Sequence, residues 1–176
     1  MNWPIIFGST HTGLTIFRPD KGIDTGPIIL QKHVEIGPDE TMGGLYFGKL
    51  FPMGVDAMVE AVRLVERDNP AGEPQDHALS TYEPPCRDDH AQVPWYAPAD
   101  RIYALIRGCN PAPGAWTTHD GKKLRIFDCR LTGDRAAGMT GRVLAIDAEG
   151  FTVRLNGGVL RIQRVQPEGG KKITAA

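Results

Sequence analysis

The apolar pattern of this chain changes period once, and the change divides it. Between residues 40 and 65 large apolar side chains recur mostly three and four apart, at Leu45, Phe51, Val55, Met58, Val59, Val62 and Val65. That spacing lines one face of a helix. After residue 115 the pattern alternates instead. Residues 115–118, 123–131, 142–146, 151–155 and 159–165 read as strands, punctuated by Gly121, Gly133, Gly150 and Gly157-Gly158. Closely spaced strands with tight turns predict a small barrel or sandwich. Between the two patterns, residues 68–94 carry Asn69-Pro70-Ala71-Gly72-Glu73-Pro74 and Glu83-Pro84-Pro85 and have no period. That composition favours an extended connector. The expected layout is an α/β part over 1–67, a linker over 68–91 and a β domain over 92–176.

Local signals refine each part. Residues 14–17 and 27–32 read as two strands around an 18–26 connection bounded by Gly and Pro. Asp39 or Thr41 can cap the following helix by accepting from a first-turn N–H. Pro52 removes one donor from the helical ladder, which predicts a kink or two helices. Residues 98–107 read as a short helix with Ile102, Leu105, Ile106 and Cys109 on one face, stopped by Gly108 and Pro111.

Charge is unevenly spread. Residues 1–100 hold 7 Lys and Arg against 15 Asp and Glu, a balance of −8; residues 101–176 hold 13 against 6, a balance of +7. Such asymmetry points either to a surface that meets a polyanion or to a solvated basic face. Arg161, Arg164, Lys171 and Lys172 are the candidates for phosphate contacts, with Lys122-Lys123, Arg125, Arg130 and Arg154 extending the patch. Few aromatics interleave with them, so base stacking is weakly supported. No run of 18 apolar residues predicts a membrane span. Cys86, Cys109 and Cys129 are odd in number and form no C-x-x-C pair. This argues against a disulfide frame or zinc site and for a reducing, cytoplasmic compartment. No two of His11, His33, His77, His90 and His119 have metal-ligand spacing on a helix, so no metal is expected.

The candidate catalytic residue is Asp24, in Gly22-Ile23-Asp24-Thr25-Gly26-Pro27. A Gly-bounded turn feeding an apolar strand can hold a carboxylate at the mouth of a sheet. Taken alone, the turn supports equally an Asp that caps its own backbone. The wider run Asn2-Trp3-Pro4-Ile5-Ile6, Thr12-Gly13-Leu14-Thr15-Ile16-Phe17 and 22–30 resembles the 10-formyltetrahydrofolate-dependent formyltransferase family. So do Ile106-Arg107-Gly108-Cys109-Asn110-Pro111-Ala112-Pro113-Gly114-Ala115-Trp116, Gly121-Lys122-Lys123-Leu124 and Val165-Gln166-Pro167-Glu168-Gly169-Gly170-Lys171-Lys172.

The resemblance implies a Rossmann-like formyltransferase domain, present as its C-terminal part, followed by an OB-like β-barrel. It implies 10-formyltetrahydrofolate as formyl donor and assigns Asp24 the role of orienting a catalytic His and assisting proton movement. In the family that His and its Asn partner lie in an upstream Asn-x-His segment. The chain opens at Met1-Asn2-Trp3, after that segment, so a missing N-terminal segment or an upstream polypeptide is expected to supply it. His11, between Ser9-Thr10 and Gly13, is expected on an exposed turn and not as a substitute. Three functions follow from the resemblance and the charge. One is formyl transfer to the amino group of methionyl-tRNA. Another is a 10-formyltetrahydrofolate hydrolase or dehydrogenase module, with water as acceptor; Leu50-Phe51-Pro52 and Pro113-Gly114-Ala115-Trp116-Thr117 resemble that branch at least as well. The third is a non-catalytic nucleic-acid-binding barrel.

Overall fold

A computed structural model describes residues 1–134 and 136–176, which form two compact units. One contains His11–Ile36 and Gly44–Pro84; the other contains Met1–Thr10, Gly37–Gly43 and Pro85–Ala176.

The smaller unit is a hairpin with a helix against it. Strands β1 (His11–Phe17) and β2 (Ile28–Glu35) pair antiparallel, with His11 opposite Glu35 and Phe17 opposite Ile28. They form a two-stranded sheet. A short helix α1 (Asn2–Ile6) precedes the hairpin in the chain, and α2 (Met42–Leu45) follows it. Next come a π-helical turn, Tyr46–Leu50, and α3 (Phe51–Asp68). The kink expected at Pro52 takes the form of that widened turn, in which the Phe51 N–H reaches back to the Tyr46 carbonyl. Pro52 then sits in the first turn of α3, where a missing N–H costs little. The helix stops at Asn69, whose left-handed backbone returns its N–H to the Val65 carbonyl.

The face of α3 that packs is not the stripe of large apolar residues. Ala57 and Ala61 are buried, and a Cβ on Gly54 would lie 3.5 Å from Leu14 Cδ2. Small residues let the helix approach the hairpin closely. Phe51, Val55, Met58, Val59 and Val62 stand outward and are about half exposed.

In the larger unit, strands β3 (Ala115–His119), β4 (Lys122–Thr132), β5 (Val143–Asp147), β6 (Gly150–Leu155), β7 (Gly158–Pro167) and β8 (Ile173–Thr174) form one antiparallel sheet. Its order is β3-β4-β7-β6-β5, with β8 added to β7. Helix α4 (Ala99–Gly108) buries Ala99, Ile102, Tyr103 and Ile106 against Ile126, Val153, Leu160 and Ile162. The i, i+3, i+4, i+7 spacing explains why that face turns inward. Helix α1 lies on the C-terminal end of α4. A Cβ on Gly108 would come 2.5 Å from Ile6 Cγ1, and Asn2 Nδ2 donates to the carbonyls of Gly108 (2.8 Å) and Ala112 (2.9 Å). Gly108 therefore makes room for α1 besides ending α4.

The expected barrel needs correction. Among the described residues β3 and β5 do not pair and no closed barrel forms; the sheet is open. The outer edge of β3 is already taken, because Val93 N–H donates to the Trp116 carbonyl at 2.8 Å. β5 is short, exposed along its length and slips register against β6 between Val143 and Ala145. An apolar cavity of about 260 Å³ lies between, lined by Trp95, Thr117, Ile126, Val143, Phe151 and Ile162 among others. The capping expectation also changes: the Asp39 carboxylate accepts from the Tyr103 hydroxyl at 2.8 Å instead of holding a helix start. Burial and this neighbour push the Tyr103 phenol well above its usual range.

Candidate functional site

The loop that carries Asp24 is braced at three points. Arg18 N–H donates to the Pro27 carbonyl at 3.0 Å, closing the base of the loop. There a Cβ on buried Gly26 would lie 1.7 Å from the Arg18 carbonyl oxygen, so only glycine fits. Asp20 Oδ1 accepts from Gly22 N–H (2.8 Å) and from the Thr25 hydroxyl (2.7 Å). The Thr25 hydroxyl first, then the Gly22 N–H, hold the Asp20 carboxyl below the ordinary carboxylate range. From the connector, Gln75 Nε2 donates to the carbonyls of Asp24 (2.9 Å) and Gly26 (2.7 Å). Glu73 and Ile28 exchange backbone hydrogen bonds of 2.7 and 2.8 Å beside it. This stretch of the connector is thus tied to the loop.

Asp24 itself has φ +56°, a left-handed backbone that Asp tolerates better than most residues, and it is exposed. Its carboxylate has no hydrogen-bond or ion-pair partner among the described residues. The local capping that could have explained an Asp here is done by Asp20 instead. A carboxylate on a pinned turn, with its lone pairs uncommitted, is equipped to accept a proton or to orient a donor.

The histidines lie apart from this group with one exception. His11 is the first residue of β1, six residues before the loop begins, a strand span of about 20 Å. His33 sits on β2 opposite Gly13. His90 Nδ1 accepts from Arg87 N–H at 3.1 Å, and its ring meets Trp3 edge-on. His119 is 3.5 Å from Asp120. His77 is the exception: it opens a single 3-10 turn, His77–Leu79, and its charge acts on Asp20. No group of His, Cys, Asp or Glu among the described residues is arranged to hold a metal ion.

Two of the basic candidates already have acidic partners. Arg161 Nη1 reaches both oxygens of Asp147, at 2.8 and 2.9 Å, and this contact lowers the Asp147 pKa. Arg164 lies 3.6 Å from Asp128. Lys172 Nζ stands 3.6 Å from the centre of the Phe127 ring, a cation–π contact. Lys171, next to it, is exposed. The short strand β8 pairs with Arg164 and Val165 and so brings the Lys171-Lys172 pair beside Arg164. Lys123 and Arg125 both bind Asp88, the latter at 2.6 Å, while Trp116 Nε1 donates to the Asp88 carbonyl at 2.6 Å. This group fastens the 3-10 turn Asp88–Ala91 to β3 and β4.

Residues 1–62 match the family profile described as "Formyl transferase", and residues 86–176 match "Formyl transferase, C-terminal domain". The chain belongs to the formyl transferase family. Among its relatives, the methionyl-tRNA formyltransferase of Moorella thermoacetica is 38% identical over 172 residues, covering 98% of this chain and 55% of that protein. The cytosolic 10-formyltetrahydrofolate dehydrogenase of Xenopus laevis is 36% identical, covering 100% of this chain and 20% of the relative. The crystal structure of HypX from Aquifex aeolicus in complex with tetrahydrofolic acid shares the fold, with TM-score 0.81 at 19% identity over 99% of this chain and 31% of that one. The chain spans little more than half the length of the methionyl-tRNA formyltransferases it matches.

Sequence reasoning located Asp24 but missed what holds it. Asp20-Lys21-Gly22 is a readable side-chain turn signal. Gln75 gave none, since its partners lie 51 and 49 residues away.

Proposed function

We propose that this chain supplies the aspartate-bearing part of a formyl-transfer site, working from 10-formyltetrahydrofolate to the amino group of methionyl-tRNA. The division of labour is a catalytic part over 1–67, a connector over 68–91 and an acceptor-binding domain over 92–176, in the cytoplasm. The observation that supports the reading is the Asp24 turn, pinned by Asp20 and Gln75 with its carboxylate uncommitted.

The chemistry needs such a group. The acceptor nitrogen attacks the formyl carbon, and the new C–N bond leaves a tetrahedral intermediate with an oxyanion. Collapse breaks the bond to N10 of the folate. One proton must leave the attacking amine and one must reach N10. Asp24 takes part in this transfer through an oriented histidine or water. The oxyanion needs donors, and these belong to the part of the relatives that this chain does not match.

The test is formylation of methionyl-tRNA by the chain joined to the unmatched segment of the Moorella relative. Asp24→Asn keeps the shape and tolerates the left-handed backbone, so turnover is expected to fall by roughly 100- to 10,000-fold with an unchanged melting temperature. Unchanged turnover would return Asp24 to a structural role. The chain by itself is expected to show no turnover.

Water as acceptor is the second reading. The pairing of Arg161 with Asp147 and of Arg164 with Asp128 favours it, because it removes two charges from any phosphate-binding surface. Formate release without tRNA would then exceed formylation.

A further inference from the structure

Helix α3 is apolar over far more of its circumference than the hairpin covers. At about 100° per residue, the packed positions 53, 54, 57, 61 and 64 occupy roughly one third of the helical wheel. Phe51, Val55, Met58, Val59 and Val62 fall on the adjoining roughly 100°, directly beside the packed stripe. Their exposures are 55%, 52%, 52%, 46% and 49%. Charged residues begin only beyond them, at Asp56, Glu60, Arg63 and Arg67. Shallow apolar grooves run along this face. One, of about 480 Å³, is lined by Tyr46, Leu50, Phe51, Gly54, Val55, Met58 and Val59. The other, of about 250 Å³, continues past Met58 and Val62 onto Ile16, Phe17 and Ile29 of the hairpin. A helix with this pattern is built to lie between two layers, and the unit provides one. A two-stranded sheet with one helix is also too small to stand alone.

We propose that this face is the docking surface for the segment of the formyl transferase catalytic domain that the chain does not match, and that the segment packs an apolar layer across Val55, Met58, Val59 and Val62. This rests on the family reading above. The two profiles and the relatives identify the occupant. The N-terminal profile contributes only residues 1–62 here and ends within α3, while close to half of the Moorella relative lies outside the match. The same surface serves whether the segment arrives on one polypeptide or as a separate chain. A second copy of this chain is the competing occupant, but it would bring only another hairpin and an equally uncovered helix.

The experiment is co-expression of the full chain with the unmatched segment of the Moorella relative, carrying the affinity tag on the segment. A 1:1 complex is expected on size exclusion, with loss of the hydrophobic-dye fluorescence that the chain shows alone. Met58→Asp and Val59→Asp are each expected to weaken co-purification by roughly tenfold to a hundredfold, as burial of such side chains implies. Arg63→Asp, on the charged side, is expected to leave it unchanged. Because an aspartate variant can misfold, a photo-crosslinking residue at Val55 gives a second measurement in otherwise native chain. Crosslinks into the segment support the proposal. Crosslinks into a second copy, or none when both polypeptides are present, overturn it. A complex that forms but transfers no formyl group leaves the docking surface intact and defeats the functional reading instead.

Discussion

Gln75 offers a test of whether the Asp24 turn is positioned from outside itself. Its amide makes two hydrogen bonds, of 2.9 and 2.7 Å, to carbonyls on either side of Thr25. In Gln75→Ala both are lost, and the Gly26 carbonyl belongs to a buried residue. Each bond contributes about 0.5–1.5 kcal/mol net, so the pair is worth roughly 2 kcal/mol. Asp20 still braces the other side of the turn, and the Glu73–Ile28 bonds still hold the connector. The loss should therefore be local. Amide exchange at residues 22–26 is expected to speed up by about 30-fold, the factor that corresponds to 2 kcal/mol. Amides of β4 and β7 should be unaffected. In the assembled enzyme the turnover number should fall by about tenfold to a hundredfold with little change in affinity for the formyl donor. Gln75→Glu cannot donate to either carbonyl and places a second carboxylate near Asp24, so it should be at least as severe. If exchange at 22–26 is unchanged in Gln75→Ala, the clamp does not govern the turn and the positioning argument fails.

Three further outcomes are expected. Gly26→Ala should prevent the 18–27 loop from closing, because its Cβ would sit 1.7 Å from the Arg18 carbonyl; a thermal melt that matches the parent would contradict this. Asp88 is held low chiefly by Lys123, with Arg125 adding to it. A depressed carboxyl contributes stability that is present above its unfolded pKa and lost as pH falls through the folded value, so the melting temperature should drop below about pH 4, and Asp88→Asn should flatten that acid limb. Charge reversal at Lys171 and Lys172 should lower the salt slope of tRNA binding by about one per true phosphate contact, whereas Arg161→Glu, whose partner is Asp147, should change it less; equal slopes for all three would mean the face is only solvated.

The strands of the larger unit were legible because alternation is a local property. β3, β4, β5, β6 and β7 start and stop within two residues of their expected bounds, since Gly and the loss of period mark each end. α4 was legible for the same reason, and Asp24 through the residues around it. Closure of the sheet was not, because period two says which side chains point inward and nothing about which edges meet; the segment at Val93 took the edge of β3. The packed face of α3 was misread from its large side chains, since close approach to a hairpin selects Gly54, Ala57 and Ala61. Charge partners such as Asp147 for Arg161 and Asp39 for Tyr103 depend on positions 14 and 64 residues apart. Local chemistry therefore determined the elements and the turn that presents Asp24. Tertiary structure alone decided what holds that turn, which basic residues remain uncommitted and which face of α3 is left to be covered, because each of these is a contact between groups far apart in the chain.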